Sequence, residues 1–423
     1  MTEPDMTGKD GVHAAEQAVR SLFAPTPLQL NEHLSARTGA TVYLKREDLS
    51  PVRSYKIRGA FNFFRKQLAE EGAAARRFVC ASAGNHAQGF AFICRHFGVE
   101  GTVFMPVTTP QQKIDKTRMF GGPFITIRLF GDIFDQCYKA AQAFTVETGA
   151  VMVPPFDHAD IIEGQATIAA EIAAQLPEGV TPDLMVMPVG GGGLSAGVTG
   201  YFAGDLPPEA FLFCEPEGAP SLKRSLETGA LVTLDQVDNF VDGAAVGRIG
   251  ALNFERLRHF SAGQVLLLPE NAICVTIIDM LNVEGVVLEP AGALSIAALD
   301  ALPPEQLQGK TVVAVVSGGN FDFERLPDVK ERAMRQKGLK KYFILRLAQR
   351  PGALKDFLSL LGPEDDIARF EYLKKSARNF GSILIGIETQ RPENFATLKR
   401  SFDEAGMSYQ DITENDILSS LII

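Results

Sequence analysis

The 423 residues carry 41 Lys and Arg against 51 Asp and Glu, a formal net charge of −10, with 46% hydrophobic and 22% charged residues. The length suggests about two or three domains, the apolar share supports a packed core rather than disorder, and the acidic balance argues against nucleic acid as a partner. Cys80, Cys94, Cys137, Cys214 and Cys274 are scattered without metal-type spacing, and the sequence shows neither a signal-peptide core nor a bilayer-length apolar run, so a cytoplasmic protein with reduced thiols and no membrane partner is expected.

From about residue 41 to residue 317, short apolar runs alternate with helix-length patterns. That alternation predicts βαβ units and a mostly parallel, buried sheet. The first chemical signal in chain order is Ser54-Tyr55-Lys56-Ile57-Arg58-Gly59. A lysine that forms a Schiff base needs a desolvated setting that keeps its amine neutral. Here Tyr55 and Ile57 flank Lys56, and Phe61, Phe63 and Phe64 follow. A lone lysine among apolar residues is more often a surface side chain with its stem laid along them, so its neighbours in the fold must decide.

Strands are predicted at 78–81, 101–105, 124–127, 184–187, 211–213 and 312–316. Several end in Gly or Ser clusters, where ligands gather in open α/β sheets. Ser82-Ala83-Gly84-Asn85-His86-Ala87-Gln88-Gly89 follows the first strand and opens a helix. Ser82 and the nearby N–H groups suit a substrate carboxylate, and Asn85 suits a phenolic oxygen. Ordinary helix capping is the simpler alternative for this segment, and His86 reads as structural.

Gly190, Gly191, Gly192 and Gly193, with Leu194 after them, lie between the 184–187 strand and a helix-compatible segment. Backbone N–H groups at such a junction can wrap a phosphate, and the lack of a following Lys-Ser/Thr pair disfavours a nucleoside triphosphate. Ser317-Gly318-Gly319-Asn320 ends the 312–316 strand. A neutral hydroxyl opposite a pyridine nitrogen leaves that nitrogen unprotonated, which makes a weaker electron sink suited to elimination.

The composition shifts after Asn320, and a charged helix within 326–339 reads as a linker. Beyond it come a strand at 341–347, a helix at 353–361, strands at 367–373 and 382–388, a helix at 394–405 and a strand at 408–412. That βαββαβ order predicts a ferredoxin-like α+β unit over 340–423.

Taken together, these segments resemble the fold-type II pyridoxal-phosphate enzymes and, within them, the threonine dehydratases (threonine ammonia-lyases). Thr26-Pro27-Leu28, Lys45-Arg46-Glu47-Asp48-Leu49 and Glu289-Pro290-Ala291-Gly292-Ala293 match the same family, and the resemblance covers about residues 20–325. It implies an α/β catalytic domain over 1–325 of the tryptophan synthase β-like kind: two open twisted parallel-sheet subdomains, the smaller, about 53–150, inserted in the larger. It further implies pyridoxal 5'-phosphate held by Lys56, by Asn85 at its ring oxygen, by Gly190–Gly193 and Leu194 at its phosphate, and by Ser317 at its pyridine nitrogen. Lys56 then serves as the base, and Ser82, Ala83, Gly84, Asn85 and His86 bind substrate. The implied reaction takes L-threonine to 2-oxobutanoate and ammonia, the first step of isoleucine biosynthesis, as a carbon–nitrogen lyase.

Ala83 stands where related serine racemases carry a second, proton-donating serine, which favours elimination over racemisation. Glu215 and the carbonyl of Ala219 match a cation site of some relatives, but Ser221 replaces the expected carboxylate, so no metal is expected. The C-terminal unit resembles the ACT-like regulatory domain of biosynthetic threonine dehydratases through Leu347-Ala348-Gln349-Arg350-Pro351-Gly352-Ala353-Leu354. A single copy fits the short biosynthetic form and implies isoleucine, with valine as a second candidate, as effector of a homo-oligomer, expected to be a tetramer. The competing readings are a general L-serine/L-threonine dehydratase or serine racemase and, from another class, an amino-acid-binding regulator on an inactive scaffold. Retention of Lys56, Asn85, the glycine run and Ser317 speaks against the last.

Overall fold

The computed structural model describes residues 8–70, 76–373 and 380–415. Two compact units emerge, one of Met1–Ile273 with Met280–Asp322, the other of Cys274–Asp279 with Phe323–Ile423. No helix among the described residues is long and apolar enough to cross a membrane.

In the first unit a six-stranded sheet runs in the order Leu28–Leu30, Thr41–Arg46, Thr311–Val316, Leu184–Pro188, Phe211–Pro216, Val265–Leu268. All neighbours are parallel except the edge strand Leu28–Leu30. Thr311–Val316 reads Thr-Val-Val-Ala-Val-Val and is buried from Val312 onward, the continuous apolar run of a strand covered on both faces. A second sheet, all parallel, has the order Ile125–Leu129, Gly101–Met105, Phe78–Ala81, Val151–Met152. The strands at 78–81 and 101–105 lie where expected, whereas the third begins at Ile125 because Gly122–Phe124 forms a 3₁₀ turn around Pro123. Leu28–Leu30, Val151–Met152 and Val265–Leu268 were not expected: at two to four residues, they are too short to show a period.

Phe61, Phe63 and Phe64 belong to the core of the smaller sheet. Phe64 stacks on Phe78 with ring centroids 4.1 Å apart, and Phe61 stacks on Phe97 at 5.7 Å. They anchor the helix Lys56–Ala69 rather than surround its first residue. The opposite anchor is ionic. Arg58 Nε donates to Glu47 Oε2 at 2.7 Å, Arg58 Nη1 to Glu171 Oε1 at 2.8 Å, and Lys45 Nζ to Glu171 Oε2 at 2.6 Å, all fully buried. Burial alone would raise the Glu171 pKa, but Arg58 and Lys45 hold it well below the carboxylate norm. This network accounts for Lys45 and Glu47 in the segment upstream of Lys56.

In the second unit, antiparallel strands run in the order Asp365–Leu373, Phe380–Thr389, Lys340–Ala348, Ser408–Asp411. With helices Ala353–Leu358 and Asn394–Glu404 this is the ferredoxin-like arrangement. Phe343, Leu345 and Leu347 alternate on one strand and Ile383, Ile385 and Ile387 on its neighbour, and one face of the sheet meets Phe357, Leu398 and Phe402. The charged helix expected after the large domain is Leu326–Gln336, and it groups with this unit. Its Val329 and Ala333, one turn apart, are buried, and Tyr342 Oη donates to its Glu331 at 2.9 Å.

Candidate active site

Lys56 opens its helix beside the end of the Thr311–Val316 strand. Ser54 bridges Gly318, Tyr55 N–H donates to Ser317 O at 3.1 Å, and Gly319 N–H donates to Arg53 O at 2.9 Å. Two segments more than 250 residues apart are thereby stitched together. Arg53 takes φ 56°, a left-handed conformation that a non-glycine residue adopts at an energetic cost. Lys56 Nζ donates to Pro155 O at 3.0 Å and lies 5.3 Å and 5.6 Å from the ring centroids of Tyr55 and Phe156. Burial pushes its pKa down to about 8, against the opposing pull of the Glu289 carboxylate. The amine is thus primed as a nucleophile near neutral pH.

Asn85, in the first turn of helix Asn85–Phe97, is held from both sides. Its Nδ2 donates to Glu289 Oε1 at 2.6 Å, and its Oδ1 accepts from Asn320 Nδ2 at 2.7 Å, while Asn320 also donates to Val52 O at 2.8 Å. Glu289 precedes helix Pro290–Ala301. Burial, then the charge of Asp242, pushes its carboxyl up to about 7, and the Asn85 hydrogen bond opposes this. Sequence reasoning assigned Glu289 no role, because an acidic residue before Pro at a helix start reads as routine capping. Ser317, almost fully buried, donates its hydroxyl to Ala291 O at 3.1 Å, in the first turn of that same helix.

Of the 82–86 segment, Ser82 Oγ accepts from Gly84 N–H at 3.2 Å, and a Cβ placed on Gly84 would meet nothing within 4 Å. Open space therefore lies beside the first turn of the helix. His86 faces the other way: its buried Nε2 hydrogen-bonds Val153 O at 3.0 Å. Since a carbonyl only accepts, Nε2 carries the proton. Burial and the nearby Lys56 push the His86 pKa down to about 3, so this ring stays neutral. The structure thus joins Lys56, Asn85 and Ser317 in one neighbourhood, with Glu289 and Asn320 added, and turns the His86 ring to the backbone.

The glycine run bridges strand Leu184–Pro188 and helix Gly193–Tyr201. Among the described residues, none of the N–H groups of Gly190, Gly191, Gly192, Gly193 and Leu194 donates to a backbone carbonyl. Gly192 has φ +86°, and any Cβ there would come within 2.8 Å of Ile249. A side chain on Gly191 would collide with the Phe156 ring, which in turn lies beside Lys56 Nζ. Unpaired N–H groups at a helix start form an anion cradle. Close to these segments in sequence, the buried Ser54 Oγ, Ser195 Oγ and Asn320 Oδ1 have no hydrogen-bond partner among the described residues, as atoms awaiting a bound group or water do. A nucleophilic amine, an anion cradle, an amide and a buried hydroxyl together fit pyridoxal 5'-phosphate.

Glu215 is engaged by the start of a neighbouring helix. Its carboxylate accepts from the N–H groups of Leu222 at 2.7 Å and Lys223 at 2.9 Å and faces Ser221 Oγ at 3.4 Å, capping helix Ser221–Thr228. Burial pushes it up to about 7, with those N–H groups opposing. No group of three or more His, Cys, Asp and Glu able to hold a metal occurs among the described residues. In the second unit, a cavity of about 380 Å³ lies at the Arg350–Gly352 turn, lined by Leu347, Arg350, Leu354, Leu358, Tyr372 and Ile383 among others.

Residues 19–318 match the family described as pyridoxal-phosphate dependent enzyme, and residues 331–422 match the C-terminal regulatory domain of threonine dehydratase. The chain is 45% identical over 410 residues to the biosynthetic L-threonine dehydratase IlvA of Bacillus subtilis (strain 168), covering 97% of this chain and 96% of that one. It is 48% identical over 387 residues to the namesake in Mycobacterium tuberculosis (strain H37Rv), covering 90% and 88%. Among solved structures, the processed form of threonine deaminase isoform 2 from Solanum lycopersicum superposes with a TM-score of 0.70 at 34% identity, over 79% of this chain and 94% of the other. The chain therefore belongs to the family of biosynthetic L-threonine dehydratases, pyridoxal-phosphate-dependent lyases with a C-terminal regulatory domain.

Proposed function

We propose that the enzyme converts L-threonine to 2-oxobutanoate and ammonia for isoleucine synthesis, with Lys56 at the centre of the reaction. The observation that carries this reading is the half-buried Lys56 amine, its pKa pushed down to about 8 by desolvation, held beside the Phe156 ring that also packs against Gly191 in the glycine run with its unpaired N–H groups. In it, Lys56 Nζ holds the cofactor aldehyde covalently, Gly190–Gly193 and Leu194 its phosphate, Asn85 its ring oxygen and Ser317 its pyridine nitrogen. Bound pyridoxal phosphate supplies the electron sink that makes the substrate α-proton acidic.

The chain's own residues do the rest. Lys56 Nζ would take the substrate α-proton, a transfer suited to an amine titrating near the working pH. Ser82 and the N–H groups at the start of helix Asn85–Phe97 receive the substrate carboxylate. Tyr55 and Phe156 set aromatic rings 5.3 Å and 5.6 Å from Nζ, an apolar flank that favours its neutral form. The methyl group of Ala83 has no proton to deliver to the opposite face, so the enzyme eliminates rather than racemises.

Residues 1–325 are read as the catalytic domain, with 53–150 as its smaller subdomain, and 340–423 as the regulatory one. The cavity at Arg350 combines aliphatic walls with a guanidinium, which suits isoleucine or valine. A cytoplasmic homotetramer completes the reading. Comparing kcat/KM for L-threonine and L-serine in purified holoenzyme tests the substrate: threonine is expected to be preferred, and a serine preference would support the general dehydratase instead. Light scattering tests the tetramer.

A further inference from the structure

Asn253 lies behind the glycine run, fully buried. Its Nδ2 donates to Gly191 O at 2.6 Å and to Phe156 O at 3.3 Å, while Gly250 N–H donates to the same Gly191 oxygen at 3.1 Å. A trans peptide aims its C=O and N–H in opposite directions, and no cis peptide is present among the described residues. Pinning the Gly191 carbonyl toward Asn253 therefore turns the Gly192 N–H, in the same peptide plane, toward the other side of the loop. The φ of +86° at Gly192 then lets the chain enter its helix.

The pin is itself braced. Asp157 accepts through its two carboxylate oxygens from the N–H groups of Ala251 and Leu252, each at 2.9 Å, fixing the start of the helix that carries Asn253. Any side chain on Gly250 would come within 2.7 Å of both Asp157 and Asn253. Three consecutive residues thus serve three contacts: Pro155 O holds Lys56 Nζ, Phe156 O holds Asn253, and Asp157 holds the helix. Asn253 Oδ1 has no partner among the described residues. A buried amide left half satisfied is a poor choice for stability alone, since a leucine of similar size would leave no such atom.

We propose that Asn253 is a positioning residue for the cofactor phosphate: by holding the Gly191 carbonyl outward, it presets the N–H groups of the glycine run for an anion and ties the run to the segment that holds Lys56. The inference rests on the reading of Gly190–Leu194 as the phosphate cradle. The test strips the full-length chain of cofactor and titrates it, by absorbance, with pyridoxal phosphate and with pyridoxal, which lacks the phosphate. Asn253→Leu and Asn253→Asp both remove the donor at similar volume, so one decides if the other does not fold.

Wild type is expected to prefer the phosphorylated aldehyde, and the variants are expected to lose about tenfold in affinity for it, the scale of one hydrogen bond to a charged group. Their affinity for pyridoxal should stay within about twofold of wild type, which also reports an intact Lys56 site. A variant that keeps the wild-type preference, or that weakens both aldehydes equally, overturns the role of Asn253. Equal affinity of wild type for both aldehydes would instead remove the cradle reading beneath it.

Discussion

Asn85 and Glu289, 204 residues apart in the chain, share a hydrogen bond of 2.6 Å. With Asn320 on its other side, the Asn85 amide is fixed with its oxygen toward Asn320 and one N–H toward Glu289, so a single N–H remains to donate.

Glu289 makes this arrangement sensitive to pH. Its folded pKa, about 7, is raised above the ordinary carboxyl value by burial. A raised folded pKa means that the stabilising contribution is present below the unfolded pKa and is lost as pH rises through about 7. Glu289→Gln, which keeps an acceptor for Asn85, is expected to raise the melting temperature of the cofactor-free chain relative to wild type above pH 7 and to give no such gain at acid pH. Thermal denaturation across pH 4 to 9 measures it, and parallel curves for the two proteins would contradict it.

The buried ion network predicts a stability effect without a change in the site's chemistry. Glu171→Gln leaves Lys45 and Arg58 short of a counter-charge in the core, which costs about 3–5 kcal/mol. Urea denaturation should show a lower midpoint at unchanged slope.

Much of this fold could be read in the residues before any coordinates. The strands at 78–81 and 312–316 announce themselves because both faces are buried, and the alternation of Ile383, Ile385 and Ile387 marks a sheet with one wet face. Helix Leu326–Gln336 is legible as a charged helix, since only Val329 and Ala333 are buried and charges dominate the rest. Lys56, Asn85, the glycine run and Ser317 each lie at a strand end or helix start that local pattern reveals. Glu289 and Asn253 gain their roles only from partners far away in sequence, which no local pattern encodes. Phe61, Phe63 and Phe64 show the converse: adjacency to Lys56 suggested a lining, yet helical geometry sends them to a separate core.

Ala83 offers a gain-of-function test. Wild type should release no D-serine from L-serine, whereas Ala83→Ser should yield a detectable amount by chiral chromatography, with elimination still dominant. D-serine from the wild-type enzyme would contradict the elimination reading.

The Arg350 cavity predicts separable regulation. Arg350→Ala is expected to raise the isoleucine concentration for half-inhibition by about tenfold, the loss of a charged hydrogen bond, while leaving threonine turnover without effector unchanged. An unchanged isoleucine response would place the effector elsewhere.

The most direct measurement is to reduce the holoenzyme with borohydride, digest it and locate the modified lysine by mass spectrometry. The account predicts the pyridoxyl-phosphate mass on the peptide containing Lys56, with loss of the visible absorbance band. Finding the label on another lysine, or none on Lys56, would contradict it.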